Sequence, residues 1–247
     1  MKSIDINCDM GETATGIDEQ IMPLITSSNI ACGYHAGGTR QMENTIKLAM
    51  MYKVQVGAHP GFPDKKGFGR NRMDLPVDKL EDIIRHQLND LKDIAEHLGA
   101  SVKYVKLHGA LYHQASVEEH TASTFLNAVS ATDASLKIVG LAGSLLERLS
   151  ESRGFTFVPE AFADRKYESD GSLRSRTLPG AVITNPELAC EQVMDIINDQ
   201  QVSAYDGSKT AVNAKTICIH GDNPAALEIL RSLDRTLRHH GVLKQSL

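Results

Sequence analysis

Short apolar runs of four or five residues recur along the 247-residue chain, separated by longer stretches with apolar positions at helical spacing. The runs predict strands at 3–7, 28–31, 54–58, 104–107, 136–140, 155–159, 180–183 and 216–219. The clearest helix is expected over 76–98, where Leu80, Ile83, Ile84, Leu88, Leu91, Ile94, Ala95 and Leu98 share a face. Pro76 suits its first turn and Gly99 its C-terminal cap. A last helix is expected with Asn223 as cap and Pro224 at its first position. Its stripe is Ala226, Ile229, Leu230, Leu233 and Leu237, and Gly241 stops it.

Alternating strands and helices predict a parallel sheet, either closed as a barrel or open and doubly wound. No GxGxxG follows the first strand and no GxxxxGK[ST] occurs, which takes weight from the open, nucleotide-binding form. No linker or repeat divides the chain, so one α/β-barrel domain over 1–247 is expected. Two stretches rich in Gly, charged residues and Pro or Ser, 59–74 and 160–177, are expected as long loops after strands.

Apolar residues make up 41% and charged residues 23%, which is ordinary for a globular chain. A net charge of −5 and an isoelectric point near 6.1 argue against a nucleic-acid or anionic-membrane partner. Trp is absent and aromatics are 5%, which weakens any reading based on base stacking. No run reaches membrane-spanning length, and MKSIDINCDMGE has no signal-peptide core, so a cytoplasmic location is expected. Cys8, Cys32, Cys190 and Cys218 form no CxxC pair and are expected as reduced thiols, Cys8 and Cys32 as small buried ones.

Titratable residues collect where strands end. Asn7, Asp9 and Glu12 follow the first strand, His35 the second and His59 the third. Lys106 and His108 end the fourth; Glu160, Asp164 and Arg165 follow the sixth; His220 and Asp222 follow the last. In a parallel barrel these ends share one rim, where the loops build the active site. Glycine beside most of them permits sharp turns and close approach to a ligand. The expected catalytic set is therefore Asp9, His35, His59, Lys106, His108, Glu160, His220 and Asp222. One histidine after a strand is ordinarily structural; four with carboxylates point to acid–base chemistry near neutral pH. By contrast, His86, His97, His113, His120, His239 and His240 fall on helical stretches and read as surface or packing residues, and Lys65-Lys66 as a solvated loop. Asp9, His35 and His59 are weak candidates for a divalent metal, since their spacing is no tight local motif.

The strings IDINCDMGE, SSNIACGYHAGG (27–38), VGAHPGFPD (56–64), GFGR (67–70), VKLHGALY (105–112), PEAFADRKY (159–167) and GAVI (180–183) together resemble the LamB/YcsF family over nearly the whole chain. The resemblance implies an irregular, seven-stranded β/α barrel of the glycoside hydrolase/deacetylase type. It implies the A component of an ATP-dependent 5-oxoprolinase, which opens the cyclic amide of 5-oxo-L-proline to L-glutamate. Two further subunits, B and C, would complete the enzyme, with ATP as co-substrate of the complex. In that reaction Asp9, His35, His59 and Glu160 would activate water or protonate the ring nitrogen, and Lys106 and His108 would stabilise an oxyanion or phosphate. Arg70, Arg165 or Arg176 would take the substrate carboxylate, with Asn7 and Glu12 completing the substrate-binding set. The competing expectations are a stand-alone metal-dependent deacetylase or other C–N hydrolase, and a non-catalytic lactam-binding regulatory component.

Overall fold

The computed structural model describes residues 2–13 and 16–247. Seven parallel strands close on one another: β1 (Ser3–Met10), β2 (Ser27–Ala31), β3 (Gln55–His59), β4 (Val102–Lys106), β5 (Lys137–Leu141), β6 (Phe157–Phe162) and β9 (Thr216–Ile219). β9 pairs with β6 on one side and β1 on the other, registering Asn7 with Cys218. Around this ring run α1 (Ile17–Ile21), α2 (Thr39–Tyr52), α3 (Val77–His97), α4 (Gly109–Val117), α5 (Glu119–Asp133), α6 (Leu145–Ser152), α7 (Pro186–Asp199) and α8 (Ala226–His239). A small antiparallel hairpin, β7 (Gln201–Ser203) with β8 (Lys209–Ala211), interrupts the return from β6 to β9. Two residues of β10 (Leu243–Lys244) pair beside the start of β1.

The eight expected strands become seven in the barrel because 180–183 does not join it. Within that segment only Val182 forms a bridge, with Arg165, while the Ile183 amide donates to the Asp164 carbonyl. The segment lines the loop after β6 instead of extending the ring. β6 also runs three residues beyond the expected 155–159, so Glu160 lies inside the strand and the following loop begins later. Pro76 sits as the N-terminal flank of α3 with extended ψ, and α8 begins at Ala226, not at Pro224. Asn223 does cap a turn there, accepting from the Ala225 amide, but its own amide is drawn toward Asp164 and the Ile183 carbonyl.

Strand alternation explains why the barrel interior is polar. Along β1, Ile4, Ile6, Cys8 and Met10 join the apolar layer under the helices, while Asp5, Asn7 and Asp9 point inward to meet side chains from other strands. Ser27 and Asn29 of β2 and Thr216 of β9 answer them, so each of these buried polar groups has a partner. Below this layer Tyr104, Val139 and Val158 form a separate apolar plug.

Candidate active site

One cavity of about 600 Å³ opens at the C-terminal ends of the barrel strands. At its floor the Lys106 Nζ lies 3.0 Å from Asp9 Oδ1, 3.0 Å from Glu160 Oε1 and 3.0 Å from Cys218 Sγ. Lys106, Asp9 and Glu160 are all buried. Burial alone would depress the amine, but Asp9 and then Cys218 and Glu160 outweigh it and hold Lys106 well above the usual lysine range. Burial likewise opposes the charge on Asp9, and the His59 ring and Lys106 ammonium overcome it, holding that carboxyl well below the usual range. The floor is thus a fixed ammonium among carboxylates.

The polar layer beneath fixes these groups. Asn29 Nδ2 donates to Asp9 Oδ1 and to Asn7 Oδ1, both at 2.7 Å, and the Tyr104 hydroxyl donates to Asn29 Oδ1 at 2.8 Å. Asn7 Nδ2 donates to Glu160 Oε1 at 2.9 Å and to Thr216 at 2.7 Å. Glu160 Oε2 accepts from the Tyr112 hydroxyl at 2.9 Å.

Three imidazoles form one flank. His35 and His108 stack at 3.7 Å with 4° between planes, and His59 stands edge-on to both. His59 Nδ1 donates to the Lys106 carbonyl and His108 Nε2 to the Phe68 carbonyl, each at 2.8 Å. Glu12 Oε1 lies 3.1 Å from His35 Nε2 and 3.3 Å from His108 Nδ1. Burial pushes His35 down to about 3 and His108 well below the histidine range, while burial and then Asp9 and Asp222 push Glu12 well up. The 67–70 turn is clamped onto this flank. Gly69 has φ 65°, and a Cβ there would stand 2.8 Å from both the His108 and His35 side chains.

On the opposite flank Asp164 Oδ1 accepts from His220 Nδ1 at 2.8 Å, and Phe162 stacks on the same ring at 5.2 Å. That bond leaves Nε2 of His220 as the free acceptor. A ring nitrogen of His220 lies within 4.8 Å of a carboxylate oxygen of Asp9. At the mouth Arg70 is ion-paired with Asp222. Arg165 is buried, donating to the Ala181 and Arg174 carbonyls, and with Arg176 it lines the wall.

Of the residues expected from sequence, Asp9, Glu12, His59, Lys106 and His108 line the cavity, as do Arg70, Arg165, Arg176, His220 and Asp222. Asn7, His35 and Glu160 do not reach its surface: Asn7 and Glu160 support Lys106 from beneath, and His35 stands behind His108. Among the weak metal candidates, Asp9 Oδ2 lies 3.4 Å from His59 Nε2, His35 and His59 also gather with Glu12 and His108, and Asp9 is hydrogen-bonded to Lys106 and Asn29. Sequence reasoning missed Asn29, Tyr112 and His113. The last two come from the first turns of α4, immediately after β4, and line the wall despite lying on a helical stretch.

The LamB/YcsF family model matches residues 4–247. The chain belongs to the LamB/YcsF family. Its LamB/YcsF relatives include a protein of Natranaerobius thermophilus described as the A subunit of 5-oxoprolinase, 42% identical over 251 residues, covering all of this chain and 98% of that one. A Haemophilus influenzae protein of the same description is 42% identical, covering 98% of each. Among solved structures, a Thermus thermophilus lactam utilization protein superposes with a TM-score of 0.93 at 38% identity over the whole of both chains. A family 4 carbohydrate esterase from Streptomyces lividans reaches a TM-score of 0.54 at 10% identity over 98% of this chain and 91% of that one, so it shares with this LamB/YcsF member the fold alone.

Proposed function

We propose that this chain is the ring-opening component of an ATP-dependent 5-oxoprolinase, acting with the B and C subunits on 5-oxo-L-proline to release L-glutamate. The observation that carries the reading is the convergence of the Lys106 ammonium, paired with Asp9, and the oriented His220 on one cavity floor. A fixed positive charge beside an oriented base is what addition of water to an acyl carbon requires.

A five-membered lactam is a resonance-stabilised amide and a poor electrophile. Phosphorylation of its carbonyl oxygen by ATP supplies the missing reactivity; this sequence carries no nucleotide motif, and the proposal gives that step to the complex as a whole. Water then adds to the activated carbon while His220 Nε2 takes its proton, with Asp164 holding the ring and stabilising the imidazolium. Lys106 meets the charge that builds on the oxygen side. The ring C–N bond breaks as the His220 imidazolium returns that proton to the departing nitrogen. Hydrolysis of the remaining acyl phosphate yields glutamate and phosphate. Arg165 and Arg176 on the wall suit the substrate carboxylate.

The test is glutamate release from 5-oxoproline by this chain with purified B and C and ATP. Release requiring all four components is expected, and His220→Asn should lower kcat by about 10²–10⁴. No ATP-dependent release from the complete mixture rejects the assignment; hydrolysis of an acetylated amine by the chain alone would place it among stand-alone C–N hydrolases.

A further inference from the structure

The chain after β6 brings two guanidinium groups to the cavity wall, and neither has a carboxylate partner among the described residues. Arg165 is only 2% exposed. Its Nε donates to the Ala181 carbonyl at 3.4 Å and its Nη2 to the Arg174 carbonyl at 2.5 Å. Asp164, next to it in the chain, is committed to His220 and Asn223. Arg176 makes no hydrogen bond or ion pair among the described residues. The other arginines of the cavity are paired, Arg70 with Asp222 and Arg72 with Asp74 and Glu118. An arginine as buried as Arg165 is ordinarily paired too, because an uncompensated charge out of water is costly. Burial, and then the charge of Arg176, push Arg165 down to about 10, which leaves it a cation at neutral pH and marks the two groups as neighbours.

Uncharged donors surround Arg176. Ser175 and Thr177 flank it on the wall, and His113 faces the cavity with no hydrogen-bond partner among the described residues. Desolvation within the cavity, and then Arg165, His220 and Arg176, push His113 down to about 4, so its ring is neutral and adds a donor without adding charge. A single carboxylate fills one guanidinium fork. Two unpaired cations side by side call for a second anionic group. In 5-oxoproline the carboxylate and the lactam carbonyl stand on the two carbons that flank the ring nitrogen. Once the carbonyl oxygen is phosphorylated, both anions lie along one edge of the ligand.

We propose that this wall is a two-anion site for the activated lactam, in which Arg165 takes the carboxylate and Arg176, Ser175, Thr177 and His113 take the phosphoryl oxygens. The identity of the ligand rests on the reaction proposed above. What is added is that the barrel recognises the phosphorylated form and not free 5-oxoproline, so a phosphoryl-transfer reaction must supply its substrate. The same grip holds the acyl phosphate formed on ring opening, which keeps both anionic groups.

The full-length chain, without B, C or ATP, would be titrated by calorimetry with three ligands. These are inorganic phosphate, 5-oxoproline, and a phosphonate analogue of the acyl phosphate in which methylene replaces the bridging oxygen. One phosphate per chain is expected, displaced by the analogue, and the analogue should bind at least about 100-fold more tightly than 5-oxoproline. Arg176→Gln should weaken phosphate and the analogue at least about tenfold and 5-oxoproline less than about threefold. Arg238→Gln, exposed on α8, should change none of them. Should Arg176→Gln fold poorly in a melt, displacement of phosphate by the analogue in the parent chain decides. No phosphate binding, phosphate that the analogue does not displace, an analogue no tighter than 5-oxoproline, or equal losses for all three ligands in Arg176→Gln overturns the two-anion site. These readings do not depend on turnover. A chain that binds the analogue but yields no glutamate with B, C and ATP leaves the site standing and rejects the reaction; glutamate release without phosphate binding does the reverse.

Discussion

With its ammonium 3.0 Å from both Asp9 and Glu160, Lys106 is the counter-charge for two buried carboxylates. Replacing it by Met keeps the volume and strands those charges. Lys106→Met is expected to abolish turnover and to destabilise the protein by about 3–5 kcal/mol, the usual cost of leaving a buried charge unpaired. Adding Asp9→Asn in the same chain should return part of that stability without returning activity. Thermal melts beside the glutamate assay check both statements, and a Lys106→Met protein as stable as the parent would refute the charge argument. The thiols behave in the opposite sense. Burial pushes Cys32 up to about 12 and Cys8 and Cys218 well above the ordinary thiol range. In native protein at pH 8 a disulfide reagent should therefore modify these thiols at least about 100-fold more slowly than in denaturant. At this scale the titratable groups at the strand ends were legible because of that position, whereas His113, within α4, read as a surface or packing residue. Asn29 and Tyr112 were not: neither carries the charge that draws attention in a sequence, and their importance comes from whom they touch. The alternation of IDINCDM, which turns Asp5, Asn7 and Asp9 to one face, was a signal that the interior would be polar.

Among the elements, β3 and β4 meet where there is no room for a side chain. A Cβ on Gly57 would stand 2.2 Å from the Tyr104 ring, whose hydroxyl is held by Asn29. Gly57→Ala should cost about 1–3 kcal/mol as overpacking and should also lower kcat, because the ring that must move steadies Asn29 and through it Asp9; a melt and a rate on one sample decide it. Between α3 and α5, Lys92 donates to Asp133 at 2.6 Å, and this bond, followed by those from Ser135, lowers the Asp133 carboxyl to about 2. Its folded pKa lies below the unfolded one, so the stabilisation is complete above about pH 5 and disappears as pH falls toward 2. For a partly exposed pair it amounts to about 1 kcal/mol. The Tm of Asp133→Asn should thus lie about 2–4 °C below the parent at pH 7, with the gap closing below pH 4; a constant gap would remove the ion pair from the explanation. The elements the sequence mislocated share one cause. Residues 180–183 have the apolar character of a strand, but Ile183 donates to the Asp164 carbonyl in the loop after β6, and Asn223 caps the turn before α8 with its Oδ1 while its Nδ2 ties that turn to Asp164 and Ile183. Local pattern cannot register partners that distant.

For the whole molecule, alternating strands and helices were enough to anticipate a parallel barrel with its chemistry at one rim, since handed crossovers place every strand end on the same side. The count of seven came from resemblance and not from periodicity, which suggested eight. Which segment closes the ring depends on the pairing of β9 with both β6 and β1. That closure joins groups far apart in sequence: Asn7 donates to Thr216 across 209 residues, and Lys106 reaches Cys218 across 112. Contacts of such span form late in folding, after local helices. On dilution from denaturant, far-UV ellipticity should recover ahead of catalytic competence, with activity returning only in the slowest phase; simultaneous recovery would count against this order. A chain still emerging from the ribosome therefore holds no working fraction of its catalytic centre. Until the last strand slides between its two neighbours, the cell possesses helices and an open ribbon, and competence arrives all at once.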